Sequence, residues 1–164
     1  MHKSVERFVE RMGVMLEADG VPRIAGRIFG FLLVHAGAYS LDELAEQLRV
    51  SKASVSTNAR LLEQLGVVER TAAPGDRRDY YQMESDAWER MLRVAQRKWE
   101  GMRRVLRDAE ESLPAEMGVG RSRLRKAERF HLLLAEESER LLERWREMPA
   151  EGSEDGSDAA QPAA

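Results

Sequence analysis

Apolar residues recur with a helical period over most of the chain. Val5, Val9, Met12 and Leu16 share one face of a helix predicted over 3–17, which Asp19-Gly20 ends. A second helix is expected over 22–36. Pro22 suits its first position, where a missing N–H costs nothing, and Gly37 stops it. Ile24, Ile28, Phe31, Leu32 and His35 lie along one side. Gly26 and Gly30 lower helix propensity there but leave a smooth strip for close packing.

Ser40 opens a short helix over 41–48, with Leu44, Ala45 and Leu48 facing inward. Ser40 and Glu43 have capping-box spacing, in which hydroxyl and carboxylate each satisfy an orphan N–H. Arg49-Val50-Ser51 is a tight turn, and Ser51 caps the next helix, 52–65, whose inner positions are Val55, Ala59 and Leu62. Gly66 terminates it. The period then changes. Residues 67–73 and 80–84 read as two short strands around a charged turn, giving a hairpin with a basic tip.

From Ser85 the helical period returns. Trp88, Leu92, Ala95, Trp99, Met102, Leu106, Ala109 and Leu113 form a heptad seam, about 40 Å long at the rise of an α-helix. Pro114 ends it. A last helix over 121–147 carries Ala127, Phe130, Leu134, Leu141 and Trp145, and Pro149 stops it. The chain thus divides into an N-terminal helix (1–20), a compact head (21–84), a helical hairpin (85–148) and a tail (149–164) that holds no large apolar residue and is expected to be disordered. The fold expected is mainly α with a small β-hairpin.

Charge placement changes this picture more than composition does. The net charge is −3, which looks wrong for a polyanion binder. Without the four acids of the tail (Glu151, Glu154, Asp155, Asp158) it becomes +1, and residues 49–78 hold six bases against three acids. Local field governs attraction to phosphates. Between Lys52 and Leu62 there is no acid, in a chain otherwise rich in them. Ala53, Ser56, Thr57 and Arg60 share the face opposite Val55, Ala59 and Leu62. Small and polar residues with an arginine suit base edges in a major groove, while Ser51, Lys52 and Ser54 at the helix start suit backbone phosphates. A short helix bracing such a second helix is a helix-turn-helix, and the hairpin after it is a wing. Arg77 and Arg78 are the wing cations expected at the minor groove, with Asp76 orienting an arginine through a carboxylate–guanidinium pair.

The stretch LDELAEQLRVSKASVSTNARLLEQLGVVER followed by PGDRRDYY resembles the winged helix-turn-helix of the MarR superfamily. With DGVPRIAGRIFGFLL before it, the chain is similar to the GbsR-type branch, which includes repressors of osmoprotectant-related genes. The resemblance covers roughly residues 5–145. It implies a homodimer built by the first and last helices, a recognition helix bearing Ser54, Ser56 and Thr57, and Asp76 and Arg78 as the D-x-R of the wing. Many such turns place glycine where this chain has Arg49, at a position that often needs positive φ. Either Arg49 is strained there or the turn differs, and it offers a further phosphate contact.

A dimer also follows from the patterns, because the heptad seam and the 5–16 stripe exceed what so small a head can cover. The basic run Arg121, Arg123, Arg125, Lys126 and Arg129 is expected to pair with Asp108, Glu110 and Glu111 of the preceding helix. Met12, Met15, Phe31, His35, Trp88, Met91 and Trp99 are candidates for a small-molecule effector site near the junction of head and hairpin. An aromatic cage suits a quaternary ammonium ligand, in line with the GbsR resemblance, although residues at heptad spacing are more often core.

There is no cysteine, so disulfides and thiolate metal sites are excluded. His2, His35 and His131 are isolated, and no metal or other cofactor is expected. No nucleophile elbow, phosphate loop or paired catalytic carboxylate appears, so an enzyme is not expected. No apolar run reaches membrane-helix length and the N-terminus is charged throughout, so the expected location is the cytoplasm. The expected function is sequence-specific binding of duplex DNA by a homodimer that regulates transcription, with repression favoured over activation and release by a small-molecule effector as a candidate addition. The alternative is a winged-helix scaffold that binds protein without DNA.

Overall fold

A computed structural model describes residues 2–72 and 75–148. The elements run α1 (Lys3–Ala18), α2 (Arg23–Val34), β1 (Tyr39–Ser40), α3 (Leu41–Leu48), α4 (Lys52–Leu65), β2 (Val68–Ala72), β3 (Asp79–Met83), α5 (Ala87–Ser112) and α6 (Gly118–Glu147). The tail expected to be disordered lies outside the described residues.

One hydrophobic core joins α1 to the sheet. Val9, Ile28, Phe31, Leu32, Leu44, Leu48, Val55, Ala59, Leu62, Val68 and Tyr81 are buried in it, and Val5, Met12 and Leu16 pack on its edge. The α1 stripe therefore seats on the head. The glycine strip explains the closeness: a Cβ on Gly26 would lie 2.8 Å from the Met12 carbonyl oxygen, and one on Gly30 would lie 3.0 Å from the Met12 side chain.

Capping acts as its spacing implied. Ser40 Oγ accepts from the Glu43 N–H at 3.3 Å while Ser40 N–H donates to Glu43 Oε2 at 2.7 Å. These bonds hold the Glu43 carboxyl below its usual range. Gly66 closes α4 at φ 80°. Several boundaries differ from expectation. Pro22 is the N-cap of α2, with extended ψ of 135°, and not its first helical residue. The helix stops at Val34, before Gly37, because His35 is already extended. α6 begins at Gly118, three residues before the expected start at 121.

The sheet has three antiparallel strands, ordered β1-β3-β2. β1 was not expected. It pairs Tyr39 with Tyr81 and Ser40 with Tyr80, so the residue that caps α3 also anchors the sheet.

α5 and α6 pack as an antiparallel hairpin, yet only Ala87, Ser138 and Leu142 are buried in them. The heptad seam is half covered, with Trp88 and Met102 exposed. Polar ties hold the pair in register. Gln96 Nε2 donates to Ser138 Oγ at 2.9 Å, and Glu128 takes Arg107 at 2.8 Å and Arg103 at 3.2 Å. Of the basic run, Arg125 and Arg121 meet Glu110 at 2.6 and 3.9 Å. Among the described residues, Asp108 and Glu111 form no ion pair, contrary to expectation: only Glu110 projects towards the start of α6.

Glu89 near the start of α5 is gripped by Arg146 near the end of α6 and by Arg93. The bonds from Arg146, then from Arg93, hold its carboxyl at about 2. A carboxyl depressed on folding adds stability above its unfolded pKa of about 4.3, and that stability is lost as pH falls through the folded value. The melting-temperature difference between the wild type and Glu89→Gln is expected to be constant at neutral pH. It should shrink as pH falls from the ordinary carboxylate range towards 2. A difference independent of pH over that window would show that the pair contributes no pH-linked stability.

Candidate nucleic-acid interface

The turn before α4 has the strained form. Arg49 sits at φ 54°, ψ 47° and is the one non-glycine residue with positive φ among the described residues. Its N–H is satisfied by the carbonyls of Ala45 and Glu46, as at a helix end. Ser51 then caps α4 by accepting from the Ser54 N–H at 3.2 Å.

On α4 the outer face divides. Lys52, Ala53, Thr57 and Arg60 are exposed, whereas Ser54 and Ser56 are half-buried. Some polar groups already have partners. Thr57 Oγ1 donates to the Ala53 carbonyl at 3.1 Å, and Lys52 Nζ lies 2.8 Å from Asp42 on α3 with both side chains more than half exposed. Such an exposed pair is weak and opens readily to a phosphate. Arg60 has no ion-pair partner among the described residues. Asn58, which sequence reasoning passed over, is buried and donates to the Ser54 carbonyl at 2.8 Å.

The wing has more internal order than its sequence implied. Arg78 donates from Nε and Nη2 to Asp76 Oδ2 at 2.8 and 2.6 Å, and its backbone N–H donates to Oδ1 at 2.9 Å. Tyr80 donates its hydroxyl proton to Asp76 Oδ2 at 2.8 Å and accepts from Arg78 Nη2 at 2.6 Å. The guanidinium stands 5.3 Å from the Tyr80 ring centre. These bonds hold the Asp76 carboxyl far below the usual range and raise Arg78 and Tyr80. Arg78 is thus charged, oriented and more than half exposed. Tyr80 was missed, although Asp76, Arg78 and Tyr80 stand two residues apart where the turn leads into β3. Arg77 is exposed beside them.

The effector candidates do not converge. Phe31 stacks on His35 at 4.1 Å, while Trp88 meets Phe29, not Phe31, edge-on at 6.1 Å. His35 and Trp88 do line one open cleft of about 590 Å³ between the end of α2 and β3 with the start of α5. Met12 and Met15 line a separate groove on α1 with Phe8 and Arg11. Met91 is exposed on α5 and borders neither, and Trp99 is half-buried farther along the same helix.

Residues 19–79 match the model of the MarR family. A crystal structure described as that of a transcriptional regulator is 31% identical and superposes with a TM-score of 0.80, covering 88% of this chain and 99% of that one. The chain belongs to the MarR family. Its relatives include the HTH-type transcriptional regulator MmpR5 of Mycobacterium tuberculosis, 44% identical over 85 residues (51% of this chain, 52% of that protein). The HTH-type transcriptional repressor GbsR of Bacillus subtilis is 28% identical over 92 residues, 56% of this chain and 51% of GbsR. The matches span about half the length of these curated relatives. Within the MarR frame, α3 and α4 are the helix-turn-helix, β2 and β3 are the wing, and no described helix is long and apolar enough to cross a membrane.

Proposed function

We propose that this MarR-family chain is a cytoplasmic homodimer that binds duplex DNA and represses nearby genes. α4 lies in the major groove, with Lys52, Ala53, Ser54, Ser56, Thr57 and Arg60 towards the DNA. Arg77 and Arg78 reach the minor groove from the wing. The observation that carries the reading is the exposed, acid-free face of α4 beside an arginine locked by Asp76 and Tyr80. Two Bacillus subtilis relatives, OpcR and GbsR, are named repressors, which supports the sign of regulation.

Dimerisation is supported by apolar surface left on the helices outside the head. Met15 on α1, Met102 and Val105 on α5, and Phe130, Leu133, Leu141 and Trp145 on α6 are each at least two-fifths exposed. A two-fold pairing through residues 1–20 and 85–148 covers them and sets two α4 helices about one DNA turn apart. The cleft lined by His35 and Trp88 joins head to hairpin, and an effector seated there would act on both. The test is selection of genomic fragments by purified protein at two salt concentrations, with molar mass from light scattering. A near-palindromic site bound less tightly at high salt, by a particle of twice the chain mass, is expected. Recovery of no fragment at low salt would favour a protein-binding scaffold instead.

A further inference from the structure

We propose that Arg27 is a positioning residue for the DNA-reading head: it ties the turn between α3 and α4 to the N-terminal helix. The inference rests on the DNA-binding reading above. Gly13 on α1 opens the path, since a Cβ there would fall 2.7 Å from Arg27 Cγ. The Arg27 stem crosses α1 through that gap and is largely covered, with 18% of the side chain exposed. Its Nε lies 2.7 Å from Glu10 Oε1, an ion pair whose N–H is not aligned for a hydrogen bond. At the far end of the fork, Nη2 donates to the Leu48 carbonyl at 2.7 Å.

That carbonyl is a telling acceptor. Leu48 is the last residue of α3, so its oxygen is among those a helix end leaves without an in-helix partner. A cation there also meets the negative end of the helix dipole. The same peptide unit carries the Arg49 nitrogen, so holding the Leu48 oxygen restrains rotation into and out of the left-handed state at φ 54°, which a residue with a Cβ disfavours. Ser51, the cap of α4, follows two residues later. Glu10, Arg27, Leu48, Arg49 and Ser51 therefore form a continuous path from α1 to the first turn of α4, and the position of α1 sets how α4 is presented.

Arg27→Met keeps the stem and removes the fork. The Arg49 and Val50 amides, bonded to Glu46 and Ala45 carbonyls, are expected to exchange hydrogen about tenfold faster, as for one lost charge-assisted bond. Core amides of α2 should hold. Affinity for the selected operator should fall by a similar factor. In an Arg49→Gly background the same substitution should cost about twofold or less, because glycine adopts the left-handed state unaided. A direct phosphate contact by Arg27 would lose the same factor in both backgrounds, and that result would overturn the proposal. Glu10→Gln, which keeps the fold if Arg27→Met does not, should accelerate the same two amides by a smaller factor. Unchanged exchange at Arg49 and Val50 in the folded variants would also overturn it. The exchange measurement needs no DNA, so a chain that selects no operator would remove the regulator reading and leave the tie itself tested.

Discussion

Alanine in place of Arg78 is expected to weaken operator binding by roughly ten- to a hundredfold, because a dimer loses one charge-assisted contact at each of two wings. The structure sharpens this beyond the loss of a cation. Asp76 holds three bonds from Arg78 and one from Tyr80. Without the guanidinium, the Asp76 carboxylate, ionised at neutral pH like any exposed carboxylate, would face the phosphates unneutralised. Adding Asp76→Asn to Arg78→Ala should therefore recover part of the loss. Base preference should stay flat, since a wing arginine reads groove shape and charge. The salt slope should fall by about one for each phosphate contact removed. Titration at several salt concentrations measures both quantities. Equal affinity and equal slope for Arg78→Ala and the wild type would remove the wing from the interface.

Much of the head was legible because its signals are local. Ser40 with Glu43, Ser51 and Gly66 mark helix ends by short-range chemistry, and the structure keeps each in that role. The positive φ at Arg49 was one of two readings of the sequence, and the structure adopts it. β1 was hidden because two residues carry no period, and its partners lie some forty positions away. The aromatic grouping failed for a different reason. α2 is buried nearly all round, from Ala25 through Leu32 apart from Arg27, so periodicity cannot say which side meets which neighbour. Phe29 faces Trp88 and Phe31 faces His35, two positions apart on opposite flanks. Arg27, charged within the otherwise apolar run from Ile24 to Val34, is a polar position whose partners periodicity does not reveal.

Gly26→Ala is expected to destabilise the fold by about 2 kcal/mol or more, near the upper part of the overpacking range. The gain in helix propensity from glycine to alanine, about 1 kcal/mol, works against that loss and does not cancel it, because the obstacle is backbone. A Cβ at 26 would stand 2.8 Å from the Met12 carbonyl oxygen and 2.9 Å from the Gly13 Cα, and neither can rotate aside. α1 must move away as a unit. Gly30→Ala is the informative comparison. There the nearest atoms are Met12 Cβ and Cγ at 3.0 Å, a smaller overlap than the 2.8 and 2.9 Å approaches to backbone at Gly26. Thermal melts should rank wild type above Gly30→Ala above Gly26→Ala, the last lower than wild type by roughly 4–8 °C for a chain of this size. An α1 pushed outward also draws Glu10 from Arg27, so the folded fraction of Gly26→Ala should bind operator more weakly than Gly30→Ala does. If the two alanine variants melted together, the close approach of α1 and α2 through Gly26 would not be the tight constraint its geometry implies.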